Sequence, residues 1–351
     1  MQQVLRKIFS DSAGDTRGKI AAVYTLLIGA NLLLWMWAFA AFGDRPILLG
    51  TALLAYSFGL RHAVDADHIA AIDNVTRKLM QDGKRPVGVG FFFSLGHSAV
   101  VIAMSAGVVF ATAALASRFD DFKSVGSVIG TGASALFLLA IAIANVLILA
   151  SIWRSFQAVK RGARLVEEDF DLLLNSRGLL ARLFRPLFRM VSRSWHLFPI
   201  GVLFGLGFDT ATEVALFGIS AAEASKGLSV WSVMLFPALF TAGMSLVDTT
   251  DGILMLGAYG WAFMKPIRKL YYNLTITALS VVVAVAVGGI EVLGLIGDQF
   301  ALSGGFWDAV SVINGNFGAL GYAIIGIFVF GWALSAVIYR VKGYDGIDAG
   351  T

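Results

Sequence analysis

Residues 61–73 read RHAVDADHIAAID and lie inside an otherwise apolar segment that begins near Ile47. They place one arginine, two histidines and three acids where a helix in lipid would carry leucine. Each charge at bilayer depth costs roughly 2.5–3.5 kcal/mol on insertion scales, so a group of them requires a compensating role. Imidazole and carboxylate groups are ligands for divalent cations, and this stretch therefore predicts a cation site within a membrane.

The composition supports a membrane location. Of the 351 residues, 58% are hydrophobic and only 14% are charged, against about 25% charged residues in soluble domains. The formal net charge of +4 fits basic loops beside a membrane and indicates no nucleic-acid partner. The chain contains no cysteine, which excludes disulfides, iron–sulfur clusters and thiolate metal sites. We therefore expect an all-α polytopic membrane protein embedded in a lipid bilayer.

Apolar runs of about 20 residues predict eight transmembrane helices. They lie within residues 20–42, 47–75, 87–116, 126–152, 198–220, 230–259, 272–296 and 317–339. Basic residues concentrate in both terminal segments and in the even-numbered connections between helices. The connection between the second and third helices, for example, contains Arg77, Lys78 and Lys84. The positive-inside rule therefore predicts that both termini are cytoplasmic.

We expect the eight helices to form a single transmembrane domain. Its halves, residues 1–152 and 197–351, are joined by a cytoplasmic loop at residues 153–196. Within this loop, residues 179–195 carry four arginines at three- and four-residue spacing, with aliphatic and aromatic residues between them. This pattern predicts an amphipathic helix on the inner membrane surface, and a solvated charged linker is the alternative.

The two halves share a weak internal repeat. Residues 58–60 and residues 204–206 both read Phe-Gly-Leu, and each is followed by a polar stretch. At nearly the same spacing, residues 93–98 of the third helix match residues 240–245 of the sixth. Because three helices separate each matching pair, the halves would be inverted in the membrane, as in many secondary transporters with a cargo site near the midplane. Chance similarity between apolar segments is the alternative.

The repeat-related second, third, fifth and sixth helices carry the candidate site. The candidate metal ligands are His62, Asp65, Asp67, His68 and His97. The candidate supporting residues along the transport path are Arg61, Asp73, Asp209, Glu213, Asp248 and Asp251. On a regular helix His62, Asp65 and His68 share one broad face. Asp67 joins them only if the helix is locally opened, which Gly59 would permit, so the choice of Asp65 or Asp67 as the direct ligand stays open.

Each of these residues also has another interpretation. The stretch from His62 to His68 could be a proton relay or an internal salt bridge, and His97 could be a structural histidine. The acids of the fifth and sixth helices could bridge to Arg61 or line a water path. A site of nitrogen and oxygen ligands suits divalent Ni, Co, Zn, Mn or Fe, whereas Cu(I) prefers sulfur.

Three residues of the second helix carry a family resemblance. His62, Asp67 and His68 form an H-x4-D-H motif that resembles the signature of the nickel/cobalt transporter (NiCoT) family. Residues 95–98, 206–213 and 243–252 are also similar to motifs of that family, so the resemblance extends over all eight helices. It implies a secondary-type uptake system for Ni²⁺ and/or Co²⁺ in a bacterial cytoplasmic membrane, with His62, Asp67 and His68 as metal-handling positions. The metal is then the transported substrate, no cofactor is implied, and the preferred metal stays open.

Two other functions compete with uptake. An exporter of the same metals would often carry a His-rich loop, whereas the long loop here has only His196. An intramembrane metal-dependent enzyme would need more than the four histidines present, or an H-E-x-x-H motif, which is absent. A nucleotide-binding motif is absent as well, so we expect no ATPase in this chain. We therefore expect a permease and not an enzyme.

Overall fold

A computed structural model describes residues 10–12, 14–110, 191–206, 211–262 and 266–342, together with shorter stretches between 128 and 161. These residues are helices and short connections, with no strand among them. The helices are α1 (Thr16–Phe42), α2 (Pro46–His62), α3 (Ala66–Gln81), α4 (Val89–Phe110), α5 (Leu197–Gly205), α6 (Ala211–Ser225), α7 (Val230–Val233), α8 (Leu235–Ala262), α9 (Pro266–Gln299), α10 (Gly305–Asn314) and α11 (Phe317–Val341). One 3₁₀ turn, Ser194–His196, leads into α5.

Five described segments are long and apolar enough to cross a membrane, and the bent pair α2–α3 would make a sixth span. The five are Thr16–Phe42, Val89–Gly107, Val230–Gly260, Leu274–Gln299 and Ala319–Val341. They correspond to the predicted first, third, sixth, seventh and eighth helices. The all-α polytopic class is thereby confirmed. The fourth helix and the loop with its amphipathic segment lie mostly outside the described residues, so the total of eight spans stays a prediction.

Apolar side chains cover the outside of α1 and α11. Leu33 and Met36 of α1 are each 66% exposed, and Val329 and Phe330 of α11 are 63% and 69% exposed. A continuous apolar surface of this kind is a liability in water but is stable against lipid. We therefore assign these faces to the bilayer, with α3, α4 and α8 in the interior of the bundle.

The predicted second span is broken. α2 ends at His62, and α3 begins at Ala66, after a break of three residues, at an angle of 51° to α2. The local opening of the helix that the sequence analysis required for Asp67 to join the histidines is therefore present, but it lies at residues 63–65 and not at Gly59. Non-helical backbone at membrane depth must be enclosed by protein. Here the carbonyl of Val64 lies against Gly321 of α11, where a Cβ atom would come within 1.6 Å of its oxygen.

The predicted fifth span is also built from two short helices, α5 and α6. Residues 207–210 between them lie outside the described residues. The two segments that the sequence repeat pairs together are thus alike in that each contains two helices.

The short helices of each half pack on the long helix of the other half. α2 packs on α8, and α5 packs on α4. Gly59 of α2 faces the carbonyl of Phe240, where a Cβ atom would come within 2.0 Å. Gly201 of α5 faces the carbonyl of Phe93 in the same way, at 2.1 Å. Phe93 and Phe240 are equivalent in the predicted repeat, whereas the repeat aligns Gly59 with Gly205, one turn after Gly201. The repeat and its inversion in the membrane therefore stay predictions.

Two lysines attach the end of the long loop to the region between α3 and α4. Lys78 donates a hydrogen bond to the carbonyl of Val191 at 2.5 Å, and Lys84 donates to the carbonyl of Ser192 at 2.6 Å. Lys78 was assigned to a connection from the sequence, which was wrong, because α3 continues beyond it and its side chain is only 9% exposed.

We expect Gly59→Ala to separate α2 from α8 and to destabilise the protein. Overpacking typically costs about 1–3 kcal/mol, and a backbone carbonyl cannot turn away as a side chain can. Gly50→Ala is the matched control, because it lies in the same helix and no neighbouring atom lies within 4 Å of its new Cβ. Thermal unfolding in detergent measures the difference, and equal Tm values for the two variants would contradict the contact.

Candidate metal centre

Three histidines meet inside the bundle. His62 is the last residue of α2, His68 lies in the first turn of α3, and His97 lies near the middle of α4. Their ring centroids are 4.7 Å apart for His62 and His68, 4.7 Å for His62 and His97, and 4.9 Å for His68 and His97. One nitrogen from each ring lies within 4.8 Å of the other two. Their side chains are 1%, 0% and 3% exposed, so the cluster is closed to solvent.

The spacing of these nitrogens suits a shared metal ion. The Nε2 atoms of His62 and His97 are 2.9 Å apart. Metal–nitrogen bonds of about 2.1 Å that meet at a right angle place two nitrogens about 3.0 Å apart. Imidazole ligands suit nickel, cobalt and zinc, so these donors agree with the borderline transition metals predicted from the sequence.

Asp248 of α8 orients the ring of His68. Its carboxylate oxygens lie 3.2 and 3.3 Å from Nδ1 of that ring, and both side chains are fully buried. Because a carboxylate accepts the hydrogen bond, Nδ1 carries the proton and Nε2 keeps its lone pair. Within the described part of the chain, this Nε2 atom has no hydrogen-bond partner. Buried polar atoms are normally paired, so this nitrogen is available to a metal ion.

Glu213 of α6 contacts the other two histidines. Its Oε1 atom lies 2.9 Å from Nε2 of His97 and 4.0 Å from Nε2 of His62. The preceding residue, Thr212, places its hydroxyl 3.4 Å from Nδ1 of His62. Thr212 was not among the residues predicted from the sequence, since a threonine inside an apolar helix carries no distinctive signal. The one sequence feature that could have indicated a role for Thr212 is its position within residues 206–213, which resemble a family motif.

The two acids of the H-x4-D-H region occupy different positions. Asp65 is the N-cap residue of α3, and its Oδ2 atom lies 3.2 Å from Nδ1 of His62. Asp67 is half-buried in the first turn of α3. Negative charge is favourable at a helix N-terminus, so the start of α3 stabilises both carboxylates. Whether Asp65 or Asp67 binds the ion directly stays a prediction.

Asp73 lies in a second polar network, between α3, α8 and α9. It accepts hydrogen bonds from the hydroxyls of Tyr259 and Ser280, the latter at 2.7 Å. Arg77, one turn further along α3, is fully buried and donates to the hydroxyl of Thr277 at 3.1 Å. Arg77 was assigned to a cytoplasmic connection from its charge alone, which was wrong. The network joins three helices, and a place for Asp73 on the transport path stays a prediction.

The remaining predicted path residues are dispersed. Arg61 is exposed at the end of α2. Asp251 follows Asp248 by one turn of α8, and its Oδ2 atom has no hydrogen-bond partner among the residues described. Asp209 lies outside the described residues. Their roles stay predictions.

The chain matches a known protein family and several known proteins. The family described as "High-affinity nickel-transport protein" (NicO) matches residues 48–338, which include every candidate site residue. The chain is 61% identical to a high-affinity nickel transport protein of Cupriavidus necator, over 98% of each chain. It is 44% identical to the nickel transporter NixA of Staphylococcus aureus, over 92% of this chain and 93% of that protein. It is 38% identical to the cobalt transport protein NhlF of Rhodococcus rhodochrous, over 84% of each chain.

No solved structure matches the chain. The family match, in contrast, covers both halves of the bundle, and the relatives match over nearly their whole length. The resemblance to nickel/cobalt transporters inferred from the sequence is therefore confirmed. This multi-pass membrane protein belongs to the NicO family of high-affinity nickel-transport proteins.

Proposed function

We propose that this chain is a secondary-type permease that imports Ni²⁺ and/or Co²⁺ across a cytoplasmic membrane, with the ion held by His62, His68 and His97. The observation that carries the proposal is the meeting of three buried imidazoles with carboxylates from both halves of the chain. The names of its relatives support both metals, since they include nickel transporters and a cobalt transport protein.

The site replaces the water shell of the ion. A divalent cation that enters a fully buried site must exchange its water ligands for protein ligands, because a bare charge at this depth is too costly. The imidazoles supply nitrogen ligands. Asp65, Glu213 and Asp248 offset the positive charge, and Asp248 also fixes the orientation of the His68 ring through its hydrogen bond with Nδ1.

Release follows from the division of the site between the halves. The three histidines belong to the first half, whereas Glu213 and Asp248 belong to the second. A rocking motion of one half against the other changes the distances between these groups, and hence the affinity for the ion. The ion is then held tightly in the closed arrangement and is released when the halves separate on the inner side.

We place both termini in the cytoplasm, as the distribution of basic residues indicates. α1 then runs outward, α2 and α3 run inward, and α4 runs outward again. An inside-negative potential contributes about 2.3 kcal/mol per charge per 100 mV, and a divalent ion gains twice that amount. The potential by itself is therefore a sufficient driving force for accumulation.

Alanine substitutions of the three histidines should abolish uptake. His62→Ala, His68→Ala and His97→Ala each remove one nitrogen ligand from the cluster. His196→Ala is the matched control, because this fourth histidine lies outside the cluster and packs on Trp195 with ring centroids 4.3 Å apart. The measurement is accumulation of radioactive nickel or cobalt in cells that lack their own uptake systems, normalised to the amount of protein in the membrane.

Normal uptake by His62→Ala would remove this site from the mechanism. A gain in metal efflux from preloaded cells that express the wild-type protein, without uptake, would identify an exporter instead.

Asp248→Asn should weaken metal binding without removing a histidine. The amide keeps the shape of the side chain but loses the charge that holds the Nδ1 proton of His68, and loss of such outer partners typically lowers metal affinity by about 10–100-fold. Asp308→Asn is the control, because Asp308 is exposed in α10. Titration of the purified protein with Ni²⁺ in detergent measures the affinity. Equal dissociation constants for both variants would show that Asp248 does not contribute to metal binding.

Collapse of the membrane potential should reduce accumulation strongly. At 100 mV a divalent ion gains about 4.6 kcal/mol, which corresponds to a concentration ratio on the order of 10³. Proteoliposomes with a potassium diffusion potential measure this dependence, with equal pH on both sides. Accumulation that persists without a potential but follows a pH gradient would show that proton movement drives the import.

A further inference from the structure

We propose that Phe93 and Phe240 are the inner and outer gates of the ion site, one supplied by each half of the chain. This inference rests on the proposed transport function for its meaning. It gives two uncharged side chains a role that follows neither from the proposed metal site nor from the family match.

Both rings lie directly on the histidine cluster. The ring centroid of Phe240 is 5.4 Å from that of His62. The ring centroid of Phe93 is 4.8 Å from that of His68 and 6.4 Å from that of His97. Both phenylalanines are 0% exposed. The two rings therefore cover the cluster from two different helices, α8 and α4.

The cluster is closed on every side in this structure. Since His62, His68 and His97 are at most 3% exposed, an ion reaches them only after some packed side chain moves. Side chains in contact with the histidine rings are the last barrier on any route. Aromatic rings suit this position, because they are large and apolar and do not compete with the ion for its ligands.

The position of each ring along its helix assigns it to one side of the membrane. Phe93 precedes His97 by one turn of α4, which corresponds to about 6 Å along the helix. Phe240 precedes Asp248 by two turns of α8, or about 12 Å. With the termini in the cytoplasm, α4 runs outward and α8 runs inward. Phe93 therefore lies on the inner side of the site, and Phe240 lies on the outer side.

Each phenylalanine also lies at a close backbone contact between the two halves, which we call a joint. The backbone carbonyl of Phe240 in the second half contacts Gly59 in the first, and the carbonyl of Phe93 in the first half contacts Gly201 in the second. A contact between a carbonyl and a glycine has no interlocking side chain, so one helix can shift along the other. A movement of the halves at either joint displaces the attached ring from the histidines. Equivalent positions in the repeat thus control opposite entrances.

Accessibility of a single cysteine tests this assignment. The native chain has no cysteine, so Ser245→Cys introduces the only thiol. Ser245 is 3% exposed, lies between Phe240 and Asp248 in α8, and accepts a hydrogen bond from Ser94 at 3.0 Å. Ser94 directly follows Phe93, so a thiol at position 245 reports on opening between α4 and α8 close to both phenylalanines. A membrane-impermeant methanethiosulfonate reagent is applied to intact cells from outside and to inverted vesicles from inside.

We expect opposite effects of the two substitutions. Phe240→Ala in the Ser245→Cys background should speed labelling from outside by roughly tenfold and leave labelling from inside unchanged, because it removes packing that favours the closed outer side. Phe93→Ala should do the reverse. Phe93→Leu and Phe240→Leu, which keep most of the apolar volume, should give smaller changes on the same sides. These leucine variants provide the measurement if an alanine variant fails to reach the membrane.

Two neighbouring phenylalanines are the controls. Phe236 lies one turn before Phe240 in α8 and stacks on Phe42 at 5.6 Å, and Phe91 of α4 packs on Phe92 at 5.4 Å. Their alanine variants should change labelling from neither side. Acceleration from the same side by both gate variants, from both sides by each, or from neither side, would overturn the proposal.

The labelling experiment is independent of metal uptake. It measures how fast a small reagent labels the thiol introduced at position 245, in the absence of nickel or cobalt. Normal uptake by His62→Ala would refute the proposed import site and leave the sidedness of labelling unaffected. Conversely, a failure of sidedness would refute the gates while leaving the histidine cluster in place.

Discussion

The pairing of buried imidazoles with buried carboxylates is the constraint on which the rest of this structure depends. His68 with Asp248, and His97 with Glu213, bring polar groups from different helices to a depth where an unpaired charge is not tolerated. Satisfying these groups requires that α3, α4, α6 and α8 approach one another closely. The glycine contacts beneath Phe93 and Phe240 permit that approach, and lipid-facing α1 and α11 then cover the outside.

The break between α2 and α3 makes the cluster possible. In a continuous helix, His62 and His68 would be separated by six residues, or about 9 Å along the axis. In the structure their ring centroids are 4.7 Å apart. The helix ends after His62 and restarts at Ala66, so the end of one helix and the first turn of the next face a common point. The backbone exposed by the break is enclosed by α11 at Gly321, which removes its contact with lipid.

Much of this arrangement could be predicted from the sequence, and the parts that could not have physical reasons. Apolar length marked the long helices, and the cost of charge in lipid marked His62, His68 and His97 as residues with a role. The position of the break was not predictable, because residues 63–65 read Ala-Val-Asp and contain neither glycine nor proline. The contact of His68 with Asp248 joins residues 180 positions apart, which no local pattern specifies. Arg77 was misplaced because a basic residue near a span usually marks a loop, whereas here hydrogen bonds in the interior satisfy it.

The two halves contribute different chemistry to one site, although their helices are arranged alike. The position equivalent to His97 in the repeat is Met244, so the second half supplies no imidazole there. It supplies Glu213 and Asp248, whereas the first half supplies all three histidines. In the proposed mechanism, separation of the halves therefore takes Glu213 and Asp248 away from the nitrogen ligands. A divalent ion left on the imidazoles is then poorly neutralised, and water can replace ligands that the carboxylates no longer orient. In that mechanism the asymmetry ties the affinity of the site to the movement that opens it, which a site built within one half could not do.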